Sequence, residues 1–102
     1  RRDLERLDAE RDDQRRRRVA EVQQMQAELD TVLSQLQRLQ GPGQQLASER
    51  VALTMAAYEA GRGDLAPVLQ ARAQALDLRL RAVDLESQRD ALRVRLTTFT
   101  AE

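Results

Sequence analysis

The apolar positions of this chain fall into three helical stretches separated by two short interruptions. From Arg1 to Gln40 there is no Gly or Pro, and Val22, Met25, Leu29, Val32, Leu36 and Leu39 recur at alternating spacings of three and four. That alternation is the seam one helix presents to another. The seam begins only near Val19. Upstream, the places where it would continue hold Asp8, Arg11, Arg15 and Arg18, so this part predicts a helix that is solvated all round. In the second stretch, Gln44 to Ala60, Leu46, Leu53 and Ala57 form one line and Ala47, Val51, Thr54 and Tyr58 form another. Its alanines would allow a neighbouring helix to come close.

The third stretch, Leu65 to Phe99, carries two lines with the same spacing. One reads Leu69, Ala73, Leu76, Leu80, Val83, Ser87, Ala91 and Val94; the other reads Val68, Ala71, Ala75, Leu78, Ala82, Leu85, Arg89, Leu92, Leu96 and Phe99. A helix with two seams either packs between two neighbours or sits in an ordinary bundle, where a wide apolar face is also usual. The pattern leaves both arrangements open.

Gly41, Pro42 and Gly43 make the first interruption. Proline lacks a backbone donor and its ring presses on the preceding turn, while glycine adds backbone freedom; the triplet alone is compatible with a kink or a full reversal. At the second, Gly61 is placed to close a helix in the left-handed conformation, Asp64 to cap the next helix, and Pro67 to fall in the first turn, where a missing amide proton loses no helical bond. These roles predict a hairpin with a connection of about three residues. Measured outward from Arg62 and Gly63, the end of the third stretch near Phe99 is matched by the region of Met25. A kink at Gly41 to Gly43 therefore fits better than a reversal, with a paired length of roughly 55 Å at about 1.5 Å per residue.

The expected fold is all-α: a single long antiparallel helical hairpin, coiled-coil-like, with arm one over residues 1–60 kinked near Gly41–Gly43, a tip at 61–64 and arm two over 65–99. Leu76 and Leu80 are expected to pack within it, so that aspartate at both should melt the hairpin. Composition supports thin helix-on-helix packing, since among 102 residues there is one Tyr, one Phe and no Trp. The 17 basic residues, all Arg, balance 17 acids. RDDQRRRR at residues 11–18 is offset by Asp3, Glu5, Asp8, Glu10, Asp12 and Asp13, so no nucleic-acid partner is expected. With neither Cys nor His, no metal site, cofactor or enzymatic activity is expected. The chain starts inside a helical pattern without an initiating Met and reads as an excised fragment.

Two short motifs overlap the second interruption. Gly61, Gly63 and Ala66 make a loose G-x-G-x-x-A, but a helix precedes it where a nucleotide-binding turn requires a strand. Arg62, Gly63 and Asp64 spell an adhesion triplet in what should be an exposed loop; three common residue types recur by chance in many chains.

The run Tyr58, Gly61, Leu65, Val68, Leu69 and Ala71 resembles the Y-x-x-G, hydrophobic, V-L-x-A pattern of TolC-like outer membrane efflux proteins, followed by an Ala/Leu/Arg-rich helix. Pro42, sixteen residues before Tyr58, resembles a proline of the heavy-metal cation branch. The resemblance implies the second periplasmic hairpin of a homotrimeric channel, whose β-barrel, absent from this chain, lies in the outer membrane. It further implies a tip that docks a periplasmic adaptor protein linked to an inner-membrane pump and gates the aperture. On this reading the tip residues are Tyr58, Ala60, Gly61, Arg62, Gly63, Asp64, Leu65, Val68 and Leu69. Ala60, Gly61 and Gly63 would let the adaptor approach the backbone, and Tyr58 would help hold the closed aperture. Acidic residues that some members carry just after the tip are replaced here by Pro67 and Gln70, leaving Asp64 as the nearest carboxylate. The alternative is a structural coiled-coil spacer or scaffold segment without a transport role.

Overall fold

In the computed structural model, which describes residues 1–101, the chain is a long antiparallel helical hairpin measuring 88 × 18 × 15 Å. Helix α1 (Arg2–Arg38) runs into a π-helical turn (Leu39–Gly43), continues as α2 (Gln44–Glu59), reverses at the tip, and returns as α3 (Leu65–Ala101). Among the described residues there is no strand. The first interruption is thus a kink within one arm and the second a true reversal, as the arm lengths predict.

The 37 residues of α3 span about 55 Å at about 1.5 Å per residue, whereas the first arm extends the full 88 Å. The difference is the polar beginning of α1, where every residue from 1 to 21 is exposed. Burial starts at Val22, half-covered, and Met25, 5% exposed. Met25 and Phe99 line one crevice, which places the far end of the paired region where equal arm lengths put it. Two bonds between the arms confirm the register: the Gln40 amide donates to Glu86 at 2.7 Å and the Arg50 guanidinium to Gln74 at 3.1 Å. Each joins residues nearly equidistant from the tip.

The α1 seam is buried as expected, with Met25, Val32 and Leu36 inside and Val22, Leu29 and Leu39 half-buried. Val32 and Leu36 form a cluster with Ala82 and Leu92, flanked by Leu29, Leu39 and Leu85. From α3, all ten positions of the line from Val68 to Phe99 are buried or half-buried. The other line lies outside: Leu69, Leu76, Leu80, Val83 and Val94 are 56 to 64% exposed. This corrects the expectation for Leu76 and Leu80, which do not pack within the hairpin, so aspartate there buries no charge. The two lines are nearly alike in composition, with three alanines in ten positions on the buried line and two in eight on the other.

The π turn decides a similar question in the first arm. Continued without interruption, the α1 seam would run through Gly43, Leu46, Arg50, Leu53 and Ala57. The π turn holds one extra residue, seen where the Gln44 N–H donates to the Leu39 carbonyl five residues back; this turns α2 by about 100° relative to a straight α-helix. Ala47, Val51 and Thr54 consequently face α3 and are half-buried. Leu46 and Leu53 are turned out, 58% and 72% exposed.

Candidate functional site: the hairpin tip

The tip is built from backbone bonds. α2 ends at Glu59, and Ala60 keeps a near-helical φ of −82° with ψ of 1°. Gly61 then takes φ of +71°, alone in the left-handed region among the described residues. Two bonds close the end: Gly61 N–H to the Tyr58 carbonyl at 3.1 Å and Arg62 N–H to the Ala57 carbonyl at 2.9 Å. This pair is the Schellman arrangement, which satisfies carbonyls that a helix end leaves unpaired. Gly61 is needed for its dihedral, since the space around it is open. Gly63 is needed for a different reason: a Cβ there would lie 3.2 Å from the Ala57 Cβ, so glycine lets the returning chain lie on the end of α2.

Asp64 stands immediately before Leu65, in the N-cap position. Pro67 is the third residue of α3, inside the turn whose amide protons have no helical acceptor. Among the described residues, neither Arg62 nor Asp64 takes part in an ion pair. The tip therefore presents one unpaired cation and one unpaired anion on either side of a bare glycine.

The nine residues assigned to the tip separate into two groups. Tyr58, Ala60, Gly61, Arg62, Gly63, Asp64, Leu65 and Leu69 are exposed, with Tyr58, Leu65 and Leu69 44, 48 and 56% accessible. In sequence, the exposed Tyr58 precedes and the exposed Leu65 and Leu69 follow the polar turn. Val68, by contrast, is 1% exposed, the most buried large side chain described. It is inaccessible to any partner; it holds the first turn of α3 against α2, where burying a valine contributes about 1.5–3 kcal/mol.

No family model, curated protein or solved structure matches the chain. The physical features of the tip and its arms therefore carry the functional reading. Among the described residues, no group of three or more His, Cys, Asp or Glu could hold a metal ion, and no helix is long and apolar enough to cross a membrane.

Two features of the site escaped the sequence pattern. One is the seat that Ala57 provides for Gly63, which depends on how tightly the turn closes. The other is the outward turn of Leu46 and Leu53. Its signal was present in the spacing Leu39, Gly43, Ala47, Val51, three fours in succession, which is one residue more than the alternating seam allows.

Proposed function

We propose that this chain is a periplasmic α-barrel hairpin of a trimeric, TolC-like outer membrane efflux channel, with the tip docking an adaptor protein and gating the aperture. The observation that carries this reading is the second line of α3. At about 100° per residue, its mean direction lies about 170° from the buried line, so α3 has an apolar stripe facing α1 and α2 and another facing almost directly away. In a barrel each helix packs against its hairpin partner and against the next hairpin, and a helix so placed needs two such stripes. A spacer made of a single hairpin has no use for Leu69, Leu76, Leu80, Val83 and Val94 on its outer side, where they are 56 to 64% exposed.

The tip fits the same role. Gly61 and Gly63 leave the backbone uncovered, and the exposed Tyr58, Leu65 and Leu69 offer apolar area of the kind that marks interaction sites. On this reading the β-barrel lies in the outer membrane, the hairpin crosses the periplasm, and an inner-membrane pump supplies the cargo through the adaptor.

The chain has no cysteine of its own, so a photocrosslinker attached to a cysteine at Arg62 or Asp64 in the whole protein reports on the tip alone. The expected product joins it to a periplasmic adaptor identified by mass spectrometry, and leucine at Gly61 and Gly63 is expected to abolish both that product and export while helicity persists. Export that proceeds normally in the double leucine variant would overturn the docking role.

A further inference from the structure

The second stretch carries two inner lines, and something must choose between them. Leu46, Arg50 and Leu53 would face α3 if α1 continued as a straight α-helix. Ala47, Val51 and Thr54 do face it, because the turn at Leu39–Gly43 is π-helical. The choice is not made by hydrophobicity, since two leucines are left 58% and 72% exposed while Ala47 and Thr54 are half-buried.

We propose that Pro42 and Gly43 act together as a register selector, which fixes the rotation of α2 and so determines that Leu46 and Leu53 belong to the outer surface of the first arm. In a straight α-helix, Pro42 would have no proton to donate to the Arg38 carbonyl and its ring would press against that same oxygen. Widening the turn by one residue relieves both penalties. The widened turn in turn demands a small residue next, because a Cβ at Gly43 would sit 3.2 Å from the Arg38 carbonyl oxygen. Gly41, by contrast, has open space around it and is the spare residue of the turn.

The two residues thus act in the same direction. Pro42 disfavours the straight α-helix, and Gly43 permits the wide one. Since the tip follows α2 directly, the selector also sets the direction in which Tyr58 leaves the hairpin. This inference concerns the rotation of α2 alone and stands whether or not the chain belongs to a channel.

The arrangement is testable by disulfide formation between introduced cysteines, as the chain contains none. Val51 and Ala75 line one crevice between the arms, so the pair Val51→Cys with Ala75→Cys reports the register present here. The pair Leu53→Cys with Ala71→Cys reports the other, since Leu53 would then take the place of Thr54. Each pair is measured in three backgrounds: the natural sequence, a deletion of Gly41 combined with Pro42→Ala, and Pro42→Ala with Gly43→Ala. The deletion with Pro42→Ala removes both the extra residue and the reason to widen the turn and should yield a straight helix with the same inner line, so the 51/75 disulfide is expected to dominate as in the natural sequence. The double alanine variant keeps the extra residue but removes the reason to widen the turn. There the 53/71 disulfide is expected to rise and the 51/75 disulfide to fall, each by tenfold or more, with far-UV circular dichroism showing helicity retained. Two results would overturn the proposal: a double alanine variant that keeps the natural disulfide pattern, which would assign the register to packing against α3, or a Gly41 deletion with Pro42→Ala that switches it.

Discussion

Val68 and Leu69 are neighbours in the chain and opposites in the structure, 1% and 56% exposed. Each heads a line of apolar residues running the length of α3, and the two lines have the same spacing. The two lines are alike in leucine, four of ten positions against three of eight, so leucine does not distinguish the buried one. The buried line includes Ala71, Ala75 and Ala82, and it is matched on the first arm near the tip by Ala47, Thr54 and Ala57, all half-buried. In a two-helix structure only 15 to 18 Å across, close backbone approach brings more atoms into contact than large side chains that hold the helices apart. Apolar content therefore identifies a face without saying which neighbour that face receives.

The largest effect should come from charging the inner line. Val68→Asp places an unpaired carboxylate in a site with almost no water contact, at a cost of several kcal/mol, and the hairpin is expected to lose its cooperative thermal transition by circular dichroism. Leu36→Ala comes next: at a site 3% exposed, removing three carbons should cost about 2–4 kcal/mol, read as a lower denaturation midpoint. Gly61→Val imposes a branched side chain on φ of +71° and should cost about 1–2 kcal/mol with little change in helicity away from the tip. The smallest effect on folding is expected from Leu76→Asp combined with Leu80→Asp on the outer line. Helicity and melting should stay within about 0.5 kcal/mol of the natural chain, while any self-association seen by sedimentation should be lost. A hairpin that melts on that last change would erase the distinction between the lines.

Much of this architecture was legible in the residues. Gly61, Asp64 and Pro67 each favour a helix end or a helix start, and together they place the reversal to within a residue or two. Equal arm lengths then located Met25 opposite Phe99. The orientation of each helix about its own axis was harder to read. Leu76 and Leu80 sit on a seam as regular as the one that is buried, and periodicity cannot say which seam a partner covers. Leu46 and Leu53 are displaced by a single wide turn, whose effect on everything downstream exceeds its length. At the tip, the sequence grouped Val68 with residues that are exposed, because a motif read along the chain does not distinguish a side chain that holds the turn from one that faces outward.

The bonds between the arms, Gln40 to Glu86 and Arg50 to Gln74, each pair a charged group with a neutral amide. The ion pairs among the described residues, Arg17–Asp13, Arg81–Asp77 and Arg89–Asp90, each lie within one helix. Ionic strength thus acts on the two levels of this molecule differently. Salt screens contacts that steady single helices by a few tenths of a kcal/mol, and leaves the pairing of the arms, which depends on apolar burial, unweakened. A hairpin joined in this way would keep its alignment through wide swings in the salinity around it.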